Sequence, residues 1–143
     1  MKNFLLLIVL SIVSAGVAIS QKESPVTWNF ELKKTSNTDY EIVATATMKK
    51  SWVLYSQFTD DGGPIPTLFM IDDREIKMTE KSKVIKEFDS MFDVNVLKFK
   101  DTAVFTSKVQ KGTSDKLTGF VEFMTCDGTK CLPPTEVKFD LKF

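Results

Sequence analysis

Between Tyr40 and Met48 the chain alternates: Tyr40, Ile42, Ala44, Ala46 and Met48 are apolar, and most residues between them are polar. A period of two sends successive side chains to opposite faces, so this segment predicts a β-strand with one buried face. Further strand-like segments follow at Val26–Leu32, Trp52–Phe58, Thr67–Ile71, Val84–Phe88, Val94–Phe99, Ala103–Val109, Gly119–Thr125 and Thr135–Phe143. Between them, Ser36-Asn37, Asp60-Asp61-Gly62-Gly63-Pro64, Asp72-Asp73 and Lys111-Gly112-Thr113-Ser114 supply residues that tolerate tight or left-handed turns. No stretch sustains the 3.6-residue period of an amphipathic helix. The predicted class is all-β, an antiparallel β-sandwich, with a β-barrel as the other closed arrangement that fits the same alternation.

The first twenty residues follow a different pattern. Lys2 precedes an uncharged run from Phe4 to Ser20, and Ala18 and Ser20 provide small side chains for a signal peptidase. Residues 1–20 therefore predict a signal peptide, and residues 21–143 one exported domain, because no repeat or Pro/Gly-rich linker divides them. The other reading of the run is an uncleaved anchor, although its length is at the short limit for roughly 30 Å of hydrocarbon. No cysteine lies near the cleavage site, which disfavours a lipid anchor.

Composition narrows the chemistry. Nineteen Lys+Arg balance nineteen Asp+Glu, so there is no basic excess of the kind that neutralises nucleic-acid phosphates. The sequence has no His, which removes Ser-His-Asp and Cys-His catalysis and most zinc sites. Two cysteines remain, Cys126 and Cys131. Exported thiols meet an oxidising environment, so the two are expected to form a disulfide at a hairpin tip, with Gly128 helping the loop reverse. By loop entropy, closing six residues contributes about 2 kcal/mol, against about 4.7 for a hundred-residue loop. The bond is thus an inefficient staple and better suited to exchange, although a structural brace stays open. Pro133 and Pro134 stiffen the chain just after Cys131, as a strand end or a simple breaker. Lys130 favours a thiolate at Cys131 and Asp127 opposes it. The spacing is not Cys-x-x-Cys, and two thiols without His do not complete a zinc site, so neither a metal nor a bound cofactor is expected.

The stretch Cys126-x4-Cys131-Leu132-Pro133-Pro134, with Trp52-Val53-Leu54-Tyr55-Ser56-Gln57 upstream and a Phe92-centred segment between, resembles the amino-terminal periplasmic domain of the DsbD disulfide reductase family. The resemblance spans roughly residues 26–143. It implies an immunoglobulin-like β-sandwich in which Cys126 and Cys131 are a redox pair, passing electrons between a membrane-embedded donor and thioredoxin-like periplasmic proteins. It further implies that Cys131 forms the mixed disulfide and Cys126 resolves it. Phe92 matches the family's cap aromatic, and Tyr55 and Trp52 match aromatics lining the site, although all three also suit a sandwich core. The acidic residues that precede the family's cap aromatic are replaced here by Ser90 and Met91, with Asp89 shifted. The family's membrane spans and thioredoxin-like domain do not lie in this sequence, so a monomeric exported domain with separate redox partners is expected. The alternative is an exported immunoglobulin-like binding module whose disulfide is only a brace.

Overall fold

The computed structural model describes residues 24–143, so the signal-peptide reading of residues 1–20 lies outside the described residues. Eleven strands form two antiparallel sheets: β1 (Val26–Lys34), β2 (Asp39–Met48), β3 (Val53–Tyr55), β4 (Leu68–Ile71), β5 (Arg74–Ile76), β6 (Thr79–Glu80), β7 (Ile85–Asp89), β8 (Val94–Lys100), β9 (Thr102–Gln110), β10 (Lys116–Cys126) and β11 (Cys131–Lys142). One sheet runs β1-β2-β9-β6. In the other, β4 and β3 pair in succession with β10, β5 flanks β4, β8 and β7 continue outward from β3, and β11 pairs with β10. Both sheets have open edges, which makes the architecture an immunoglobulin-like sandwich and excludes the closed barrel.

The alternation in β2 does what a period of two requires. Ile42, Ala44 and Ala46 have no exposed surface, and they pack with Phe69, Phe99, Phe105, Val121 and Phe123 from facing strands. Trp28 stands among these rings, edge-on to Phe69 at 5.8 Å and tilted against Phe123 at 5.6 Å. Burial of this aromatic layer is the main force holding the sheets together.

The strands depart from the sequence pattern at several points. The segment Trp52–Phe58 is a strand only over Val53–Tyr55, because Ser56 and Gln57 turn inward to meet Glu80 on the opposite sheet. The Ser56 hydroxyl donates to Glu80 at 2.9 and 3.0 Å, the Gln57 backbone N–H donates at 2.9 Å, and the Gln57 amide exchanges hydrogen bonds with the Met78 backbone at 3.0 and 2.9 Å. Strands β5 and β6 were absent from the sequence pattern, being three and two residues long and largely polar. Finally, β11 begins at Cys131 rather than Thr135 and runs through the proline pair. Register shifts there, so that Pro133 and Pro134 lie opposite Met124 between the Phe123–Thr135 and Thr125–Leu132 pairs. A bulge on a strand with one free edge is where residues lacking an N–H fit, so the prolines interrupt the ladder without ending the strand.

Candidate functional site

Directly paired residues on antiparallel strands point to the same side of a sheet, which makes the site readable from the register. Cys131 pairs with Cys126, Cys126 with Val53, and Val53 with Lys100, giving one row on the outer face of the larger sheet. The neighbouring positions Leu54, Phe99 and Thr125 face the main core instead. The cysteines therefore lie outside the sandwich interior, in a second, smaller cluster of Val53, Tyr55, Val96 and Cys126 flanked by Phe92, Val94, Met124 and Cys131.

Cys126 and Cys131 are joined by a disulfide whose Cα atoms are 4.0 Å apart. This is closer than the 4.4–6.8 Å usual for disulfides, and the ladder accounts for it. The Asp127 N–H donates to the Lys130 carbonyl at 3.0 Å, which leaves the cysteine pair at the narrow, non-hydrogen-bonded step. The four-residue loop between them is held by the Asp127 carboxylate, which accepts from the backbone N–H groups of Thr129 and Lys130 at 2.9 Å each and from the Thr129 hydroxyl at 2.8 Å. These bonds, led by the one from the Thr129 backbone, hold the Asp127 carboxyl below the usual carboxylate range. Gly128 supplies a φ of +90°, a backbone angle that side chains disfavour.

The two sulfur-bearing residues are unequal. Cys126 is 2% exposed, covered by β3 along one edge of β10, whereas Cys131 begins an edge strand and is only half-buried. Thr125 tightens that cover by donating from its hydroxyl to the Val53 carbonyl at 2.7 Å.

A second hairpin continues the sheet beside this row, β8 pairing with β3 and β7 with β8. Strands β7 and β8 are joined by Ser90–Asp93, and Asp89 organises this turn: its carbonyl accepts from the Asp93 N–H at 2.8 Å and its carboxylate from the Met91 N–H at 2.9 Å. Asp93 takes the left-handed conformation, φ +59°, that Asp tolerates at such positions. The turn brings Phe92 edge-on to Tyr55, with centroids 6.4 Å apart. Tyr55 is fully buried and its hydroxyl donates to the other Asp89 carboxylate oxygen at 3.4 Å. Burial first, then the adjacent Asp89 charge, pushes the Tyr55 phenol well above its ordinary value, so it stays protonated. Asp89, which the sequence showed only as a displaced acid, therefore ties the β7–β8 turn to Tyr55. A cavity of about 160 Å³ opens beside Cys126, edged by Tyr55, Asp89, Lys98, Lys100 and Asp127. Lys98 and Lys100 escaped the sequence reading; the signal was the change from Val94 and Val96 to two lysines along one face of β8.

Trp52 stands apart from this cluster. It packs against the main core and lies beneath Lys130, whose Nζ is 6.0 Å from the ring centroid, bordering a groove of about 480 Å³ with Leu132 and Pro133. Pro134 is exposed at the bulge. A cleft of similar size lies at the opposite end of the sandwich, between Asp39, Arg74 and Lys108, remote from the cysteines. Among the described residues no cluster of three or more Cys, Asp or Glu could hold a metal ion.

No protein-family model and no curated protein matches the chain. Several solved structures do, two of them periplasmic domains. The N-terminal periplasmic domain of ScsB from Proteus mirabilis superposes with a TM-score of 0.67 at 16% identity, covering 85% of this chain and 48% of that one. This chain thus spans about half of the ScsB chain it matches. The reduced form of the DsbD N-terminal domain from Neisseria meningitidis superposes with a TM-score of 0.56 at 13% identity, covering 81% of this chain and 85% of that one. Both matches take in most of the sandwich, and its architecture is that of a DsbD amino-terminal-like domain.

Proposed function

We propose that residues 21–143 form an exported, monomeric periplasmic domain that exchanges thiols and disulfides with thioredoxin-like proteins through Cys126 and Cys131. The observation that carries this reading is the asymmetry of the pair: a disulfide outside the main core, with Cys126 buried and Cys131 half-buried at a strand edge, in a small cluster that also takes in Phe92. The likeness of fold to periplasmic domains of ScsB and DsbD supports the compartment and the partner class.

In the reducing direction, the Cys131 thiolate attacks one sulfur of a partner disulfide in line with the S–S bond. A mixed disulfide forms and one partner thiolate leaves. The Cys126 thiolate then attacks the Cys131 sulfur, expelling the second partner thiolate. Two electrons have passed to the partner, whose thiolates take up two protons, and the Cys126–Cys131 bond is restored. Recharging runs the same steps backward from a donor dithiol.

Equilibration of the folded domain with a graded glutathione or dithiol buffer tests the reading. A bond that equilibrates reversibly, and then passes its electrons to a thioredoxin-like disulfide, supports it. A bond that opens only after denaturation refutes it and leaves the binding module with a structural brace.

A further inference from the structure

Gly63, in the loop between β3 and β4, lies against the start of β8, directly after the cap turn. A methyl group placed on Gly63 would stand 2.8 Å from Val94 Cγ2, with Phe92 Cβ at 3.8 Å and Val96 Cγ1 at 4.0 Å. The first distance is shorter than carbon atoms tolerate, so a side chain at residue 63 would force Val94 to shift.

The two sides of this contact differ in how firmly they are held. On the loop side, the Ser56 N–H donates to the Leu97 carbonyl at 2.8 Å, the Leu97 N–H donates to the Thr59 hydroxyl at 3.0 Å, and the Thr67 hydroxyl donates to the Tyr55 carbonyl at 2.6 Å. Pro64 is buried and Pro66 half-buried, which stiffens the far limb. On the cap side, the hydrogen bonds of Asp89 to Met91 and Asp93 are internal to the turn. The turn is further tied by the β7–β8 ladder, by the long Tyr55–Asp89 hydrogen bond, and by the packing of Phe92 and Val94 on the cluster of Tyr55, Val96 and Cys126. Strain introduced at this contact falls first on Val94, which opens β8 directly after the cap turn.

We propose that Gly63 is a positioning residue: the 56–67 loop is a fixed strut, and the missing side chain at its tip sets how closely Phe92 closes over the disulfide. This inference rests on the reading of Cys126–Cys131 as an exchange site, and it specifies how access to that site is regulated.

The test measures the rate at which a small phosphine or dithiothreitol reduces the native disulfide, followed by alkylation and mass spectrometry. Gly63→Ala is expected to raise that rate about tenfold, because a clash of this size favours the open cap. Val94→Ala in the Gly63→Ala background removes the atom that the new methyl meets, and is expected to return the rate to that of Val94→Ala alone. A Gly63→Ala rate equal to wild type, or an acceleration that survives in the double variant, overturns the proposal. Val94→Ile crowds the same contact from the other side and serves if Gly63→Ala does not fold; an unchanged rate there overturns it equally. Because the reductant is small, a wild-type bond that reduces readily but ignores these changes defeats the strut alone. A bond that resists reduction in every folded variant defeats the exchange reading with it.

Discussion

Phe92 meets Tyr55 edge to face, with ring planes at 86° and centroids 6.4 Å apart, and both rings belong to the small cluster that holds Cys126. Phe92 is half-buried and belongs to the small outer cluster, unlike Phe99 or Phe105 in the main core. Phe92→Ala is expected to accelerate reduction of the native disulfide by small thiols, at a cost of about 1–2 kcal/mol, below the range for a fully buried Phe. Phe99→Ala should cost about 3–5 kcal/mol. Urea midpoints and thiol kinetics on both variants check this; a large stability loss in Phe92→Ala with unchanged native reactivity would contradict the cap role.

The unequal cover of the two cysteines gives an order of attack. Cys126→Ser leaves the half-buried Cys131 free and should accumulate mixed disulfides with thioredoxin-like proteins. Cys131→Ser leaves a thiol that is 2% exposed in the oxidised domain and should trap far fewer. Peptide mapping of the adducts decides, and a predominance of links through Cys126 would reverse the assignment.

Tyr55 offers a test by pH. Its folded-state pKa is raised, chiefly by burial and then by Asp89, so folding favours the neutral phenol. The stability this contributes is complete below the unfolded value near 10 and is lost as pH rises toward the folded one, because the unfolded chain ionises first. Stability of the wild type relative to Tyr55→Phe should therefore fall between about pH 9 and pH 11. Denaturant midpoints of both proteins across that window measure it; a constant difference would show that the phenol is not shielded.

Glu80 carries a structural prediction. Its carboxylate accepts from the Ser56 hydroxyl and the Gln57 N–H, joining the segment after β3 to the opposite sheet. Glu80→Ala leaves these donors unpaired and is expected to cost about 2–3 kcal/mol, since hydrogen bonds to charged groups lie at the strong end of the range. Thermal unfolding reads this directly. A midpoint within a degree of wild type would mean that water replaces the carboxylate at no cost.

The sequence by itself determined the long strands and the pairing of the two cysteines. Alternation over residues 40–48 marks β2 because a half-buried strand repeats every two residues, and the four-residue spacing of Cys126 and Cys131 marks a hairpin whatever lies around it. Local patterns of this kind depend on near neighbours and survive in a one-dimensional reading. The tertiary structure decided what depends on distant partners. β6 forms because Thr79 and Glu80 find β9, though nothing in their own composition calls for a strand. Pro133 and Pro134 lie inside β11 because its outer edge is unpaired and a bulge receives them. Cys126 is sheltered and Cys131 is not because β3 covers one edge of β10 and leaves its hairpin partner at the rim. Gly63 read as an ordinary turn residue until the fold placed Val94 against it, since a close approach between segments thirty residues apart leaves no periodicity to read.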